Sequence, residues 1–156
     1  MLCKVVRQKG STLIEVLLVI AIFGLLASAA LPRYNHATGR RDLDIAARQL
    51  AADMRWMQQS STNLIAGSSE LGLPFDPHPS LKFYTTAPHG YFITIGGVAV
   101  KKRIFPAGIQ VQGSYPIISF GINGYMNTLY GLEIPLLYRS QTKKVIVDSA
   151  GRIRID

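Results

Sequence analysis

Residues 9–16 read Lys9-Gly10-Ser11-Thr12-Leu13-Ile14-Glu15-Val16, and 17–32 continue LLVIAIFGLLASAALP to Pro32. From 16 to 32 no residue is charged, and Leu13 and Ile14 extend the apolar run across Glu15. At about 1.5 Å per residue, a helix over 13–31 is roughly 28 Å long, one hydrocarbon thickness of a bilayer. Lys4, Arg7 and Lys9 precede it. A basic flank of this kind stays cytoplasmic and sends the rest of the chain outward. A secretory signal peptide cleaved after Ala27-Ser28-Ala29, or a plain membrane anchor, are the simpler readings of such a stretch. Neither accounts for Glu15. A carboxylate just inside an apolar run costs about 2–3 kcal/mol on insertion, and residues of this kind are usually functional.

Working outward, the chain has 156 residues, the length of one ordinary domain. Apolar residues make up 48 %, enough for a packed core, so disorder does not describe the whole. A single cysteine, Cys3, excludes a disulfide framework and a Cys-based zinc cage. His36, His78 and His89 are scattered without metal-ligand spacing, so neither a metal nor a cofactor is implied. There is no G-x-S-x-G, no H-E-x-x-H and no Gly-rich phosphate loop, so the sequence does not read as an enzyme.

The Lys9–Val16 motif and its apolar run resemble the class III signal of type IV prepilins and type II secretion pseudopilins. The resemblance implies cleavage after Gly10 by a prepilin peptidase, which also methylates the new N-terminus at Ser11. Glu15 matches the family's glutamate at the fifth mature position. Ser11 departs from the phenylalanine usual at the first. Physical chemistry gives Glu15 a role: a buried carboxylate is tolerable beside a cation. When apolar helices stack, Glu15 of one subunit faces the freed Ser11 amine of the next and sets axial register. Gly24 and Pro32 are the helix-weakening points of the segment. The expected organisation is a leader at 1–10, a transmembrane and assembly helix at 11–32, and an extracytoplasmic α+β domain at 33–156. The implied partners are the peptidase and N-methyltransferase, other major and minor pilins or pseudopilins, and an inner-membrane assembly platform. The implied location is the inner membrane, single-pass, and then the fibre.

From 33 to 63 the pattern is helical, with Ile45, Leu50, Met54, Met57 and Leu64 as the apolar stripe. Asp42, Asp44, Arg48, Asp53 and Arg55 are assigned to other faces, and Trp56 to packing on a sheet. The helix is expected to bend near Pro32. Residues 67–80, rich in Gly, Pro and Ser, read as a loop, with Asp76 and His78 on a solvated turn. Beyond 80, strands are expected at 81–86, 91–95, 98–104, 109–111, 117–122, 129–138, 144–147 and 152–155. Turn signals such as Gly96-Gly97, Asn123-Gly124 and Ala150-Gly151 separate them, at a spacing that suggests antiparallel meanders.

This half is similar to the GspH/FimT-type minor pilins and pseudopilins. The matching stretches run from Ala46-Ala47-Arg48-Gln49-Leu50 to Arg55, through Phe105-Pro106-Ala107-Gly108-Ile109 and Ile118-Ser119-Phe120, to an ending of Val145 to Arg154. The resemblance implies a pilin-like α+β fold, one long N-terminal helix packed on antiparallel sheets.

The net charge of +8 divides. Three cations belong to the leader. The other 14 Lys and Arg face 9 acidic residues, leaving +5, and residues 101–156 alone carry that surplus. Arg152 and Arg154 point the same way on a strand. Lys143 and Lys144 would join them if the last two strands form a hairpin. Such a patch suits phosphate contact, which releases counterions without reading sequence. Gly151-Arg152-Ile153-Arg154 also resembles the Gly-Arg-x-Arg element linked to DNA capture in FimT-type pilins, which makes DNA a possible partner. The alternative is a solvated strand face near an anionic membrane.

Overall fold

The computed structural model describes residues 13–63, 78–84, 86–128 and 130–156 and, inside the helix, no side chain at 29–33 or 35. The leader, Gly10, Ser11, Leu64 and Asp76 lie outside the described residues. One helix, α1 (Leu13–Asn63), is followed by eight strands: β1 (Ser80–Phe83), β2 (Gly90–Ile95), β3 (Val98–Ile104), β4 (Ile109–Val111), β5 (Ile118–Ser119), β6 (Leu132–Tyr138), β7 (Gln141–Val147) and β8 (Ile153–Ile155). Position 32 falls inside α1, so the proline does not end the helix. The chain divides into compact units at Met1–Thr38 and Gly39–Asp156.

In the first unit, Leu13, Ile14, Leu17, Ile20, Phe23 and Leu25 are among eleven large apolar side chains that stand 45–77 % exposed. No soluble surface carries such a run without a partner or a lipid to cover it. Among the described residues no helix is long and apolar enough to cross a membrane. Gly24 has no atom within 4 Å of where a Cβ would stand, so nothing inside the subunit requires glycine there.

In the second unit, two four-stranded antiparallel sheets and residues 43–57 of α1 share one core. The strand orders are β3-β2-β1-β5 and β4-β6-β7-β8. β1–β2–β3 and β6–β7–β8 are the meanders that turn spacing predicts. β4 and β5 break the pattern: β4 joins the second sheet before β5 returns to the first. The expected strand at 117–122 shrinks to two residues plus a bridge from Phe120 to Met126, whereas β7 starts three residues earlier than expected because Gln141 to Lys143 complete the hairpin with β6.

The helix stripe needs two corrections. Leu43, Ala46, Ala47, Leu50, Ala51, Met54 and Met57 are buried, while Ile45 is 49 % exposed. At 100° per residue, 45 falls off the line through 43, 47, 50 and 54. Asp53 belongs on the stripe, since 46, 50, 53 and 57 follow helical spacing, and it is only 6 % exposed.

Asp53 is held by the first sheet. In register, Tyr91 lies opposite Arg103, and Ile93 opposite Lys101. Opposed residues share a face, so Tyr91, Lys101 and Arg103 all present to the helix. Tyr91 Oη donates to Asp53 Oδ2 at 2.8 Å, and Lys101 Nζ to Oδ1 at 3.0 Å. Arg103 Nε donates to Oδ2 at 3.5 Å. Lys101 also sits 4.0 Å above the Trp56 ring, the sheet packing expected of that residue. Burial pushes the Asp53 carboxyl up. The hydrogen bonds from Tyr91 and Lys101 and the two cationic charges outweigh it, and the net direction is below the usual range. The same burial and the Asp53 charge push the Tyr91 hydroxyl upward, so it remains a donor.

Breaking one side of a buried, hydrogen-bonded ion cluster leaves charges without partners. We therefore expect Asp53→Ala to lower folding stability by about 3 kcal/mol in urea denaturation. A depressed carboxylate pKa adds stability at pH values above the unfolded pKa and loses it as the pH falls through the folded one. The wild type should thus weaken below about pH 4, and the variant should lack that part of the acid sensitivity.

Candidate functional site

The C-terminal strands carry the basic residues. Val145 and Val147 of β7 face the core, so by alternation Lys143 shares their inner face and Lys144 and Ile146 lie outside. Arg154 of β8 pairs with Ile146 and stands outside as well, while the Lys144 backbone pairs with Asp156. Arg152 and Arg154 are both exposed and two residues apart, as the strand reading requires.

The four predicted cations do not form one patch. Lys143 turns toward α1 and binds Asp44 at 2.9 Å. The hydrogen bonds from Lys143 and then Arg48 hold the Asp44 carboxyl below its usual range. Lys144 binds Glu133 of β6 at 3.0 Å, which raises the lysine's pKa. Arg152 and Arg154 do converge, and an arginine the sequence reading placed on another face joins them. Arg55 of α1 donates from Nη2 to the Ile153 carbonyl at 3.0 Å. Because β8 is the edge of its sheet, a helix side chain can reach its backbone there. Arg55, Arg152 and Arg154 line one open groove of about 580 Å³ with Gln58 and Asp148. Arg55 has a signal in the sequence only once Asp53 is on the buried stripe, which sets 55 two positions off it.

The groove floor is a tied turn. Asp148 Oδ1 accepts from the Arg152 amide and Oδ2 from Arg152 Nε, both at 2.8 Å. The backbone bond from Arg152 leads the causes that hold the Asp148 carboxyl below its usual range. Gln58 Nε2 donates to the Gly124 carbonyl at 2.7 Å and to that of Gly151 at 3.1 Å, joining two distant turns. Gly151 has φ of 79°. A Cβ there would stand 2.2 Å from the Gly124 carbonyl oxygen. Glycine is needed here on both counts.

At the other end of the chain, Glu15 is exposed in the first turn of α1, within the apolar run. Among the described residues no group of three or more His, Cys, Asp or Glu side chains could hold a metal ion.

Residues 6–31 match the prokaryotic N-terminal methylation motif. The chain is 38 % identical over 72 residues to a type II secretion system protein H of Aeromonas hydrophila, covering 46 % of this chain and 38 % of that protein. It is 44 % identical over 45 residues to a fimbrial protein of Pseudomonas aeruginosa, 29 % of each chain. These matched stretches span well under half of the curated relatives. The crystal structure of the P. aeruginosa type IV minor pilin FimU superposes with a TM-score of 0.58 at 16 % identity, over 76 % of this chain and 91 % of that one.

The chain thus combines a prokaryotic N-terminal methylation motif, which runs into the start of α1, with a pilin-like α+β fold of one helix on two antiparallel sheets. The fold is similar to that of the minor pilin FimU.

Gly151→Ala adds both positive-φ strain and overlap with Gly124. We expect a loss of about 2–4 kcal/mol in thermal or urea unfolding. Ala150→Gly, one residue away, should cost less than about 1 kcal/mol.

Proposed function

We propose that this chain is a minor subunit of a type IV pilus or a type II secretion pseudopilus, serving pilus priming or protein secretion rather than catalysis. It is made as an inner-membrane precursor with residues 1–10 in the cytoplasm and residues 33–156 outside. Prepilin peptidase removes the leader after Gly10 and methylates Ser11. The helix that begins at Ser11 first anchors the subunit and then carries it into the fibre. Partner pilins cover the apolar side chains that 13–28 leaves exposed. Glu15 meets the Ser11 amine of a neighbour, so that a charge inside an apolar bundle is paired only in correct register. The observation that carries the reading is the methylation motif at residues 6–31 in a chain whose fold is similar to that of the minor pilin FimU. Mass spectrometry of the chain extracted from membranes should find an N-terminus at Ser11 bearing one added methyl group. A chain starting at Met1, or after Ala29, overturns the processing.

The arginine groove supports a second reading, a DNA-binding minor pilin for uptake in natural transformation. Three guanidiniums on one open surface suit the phosphate backbone, since each brings forked donors. Lys143, Lys144 and Arg152 are each tied to a carboxylate, Asp44, Glu133 and Asp148, which a phosphate would displace. Binding by the full chain in detergent should be independent of DNA sequence and should weaken steeply with salt. Arg152→Ala with Arg154→Ala should reduce it at least tenfold and flatten the salt slope by about two. Unchanged affinity in that variant removes the groove from the account.

A further inference from the structure

The first sheet turns its cations to two faces. No acidic residue occurs from 77 to 132, a stretch that holds Lys82, Lys101, Lys102 and Arg103. Lys101 and Arg103 turn inward to Asp53. Adjacent strand residues point to opposite faces, so Lys102 turns outward. Lys82 of β1 lies in register with Phe92 of β2, and Phe92 in turn with Lys102 of β3. The three form one row across the outer face, an aromatic ring between two lysines. Both lysines are exposed and Phe92 is half-buried. Tyr84, just past the end of β1, completes the group. Its ring centre is 5.5 Å from that of Phe92, tilted by 42°, and Lys102 Nζ lies 5.7 Å from it. Among the described residues, neither Lys82 nor Lys102 forms an ion pair.

Core packing does not explain these two rings. Phe83 and Tyr91, their neighbours along the strands, belong to the core or pack on it, and Tyr84 and Phe92 do not. Charge and shape then select a ligand. Two lysines without carboxylate partners call for an anion. They stand two strand spacings apart, about 10 Å, with the Phe92 ring between them. An acidic peptide would use the lysines and leave the rings idle. A nucleotide chain uses both, since its bases stack on aromatic side chains while its phosphates meet cations on either side. A duplex keeps its bases stacked on one another, so the ligand that fits is a single strand.

We propose that the outer face of the first sheet is a platform for single-stranded nucleic acid, with a base stacked on Phe92 and Tyr84 and the flanking phosphates on Lys82 and Lys102. The platform is separate from the arginine groove, which is lined from α1 and from β8 of the second sheet. It does not rest on the reading given to that groove.

The test uses the full chain in detergent carrying Arg152→Ala and Arg154→Ala, so that the groove cannot supply the binding. Fluorescence anisotropy follows a labelled oligothymidylate of about 12 nucleotides. It should bind, and an abasic strand of the same length and charge should bind at least about fivefold more weakly, an arm that needs no change in the sheet. Phe92→Leu should lower affinity for the oligothymidylate by a similar factor, and Phe92→Tyr should keep most of it. Lys82→Gln with Lys102→Gln should flatten the salt slope by about 1.4. Oligouridylate run in parallel tells the two sugars apart, and binding of neither strand overturns the proposal. Equal affinity for the abasic strand, or undiminished affinity in Phe92→Leu, overturns it as well. So does displacement of the strand by polyglutamate at equal charge, which makes the occupant an acidic peptide. Loss of duplex binding at the groove leaves every one of these arms in place, so the two failures are distinct.

Discussion

A carboxylate almost closed off from water is tolerable only where donors surround it, and Asp53 sits where helix meets sheet. Tyr91, Lys101 and Arg103 supply those donors from two neighbouring strands. Apolar packing alone tolerates small slides, because dispersion contacts are weakly directional. Four polar groups in one cluster do not. The helix angle, the register of β2 against β3 and the inward turn of two cations are therefore set together. β3 is also the edge of its sheet, and charges that point inward from an edge oppose pairing with a stray strand.

The helix that carries Asp53 has two characters along its length. From Leu43 to Met57 it contributes alanine, leucine and methionine to a core shared with both sheets. From Leu13 to Leu26 the same element exposes its large apolar side chains. Hydrophobic surface left open over that distance is surface held for other molecules. The folded unit is thus complete without neighbours, and the N-terminal stretch is not.

Much of this was legible in the residue order. The strand positions at 98–104 and 109–111 follow from turn chemistry and β-branched content, and the structure keeps their bounds. Trp56 and the methionines pack where period predicts. Asp53 was misplaced because a charge was assigned to solvent on its identity, although its spacing from Leu50 and Met57 put it inside. The patch of four cations failed for a geometric reason. Adjacent strand residues point to opposite faces, so Lys143 and Lys144 could not both join Arg152 and Arg154. Arg55 was missed because nothing local marks it: its partner, the Ile153 carbonyl, lies 98 residues away.

The sequence by itself determined the N-terminal methylation motif at residues 6–31 and the uncharged run from 16 to 32. These are local, and they act through the order of residues before any fold exists. The α+β class was likewise readable, since periods of 3.6 and 2 are properties of single segments. Tertiary structure alone decided which charges meet. It paired Lys143 with Asp44, enclosed Asp53 among three donors, and brought Arg55 beside Arg152 and Arg154. Such encounters depend on which strand lies at an edge and which face it turns inward, and no window along the chain contains both partners.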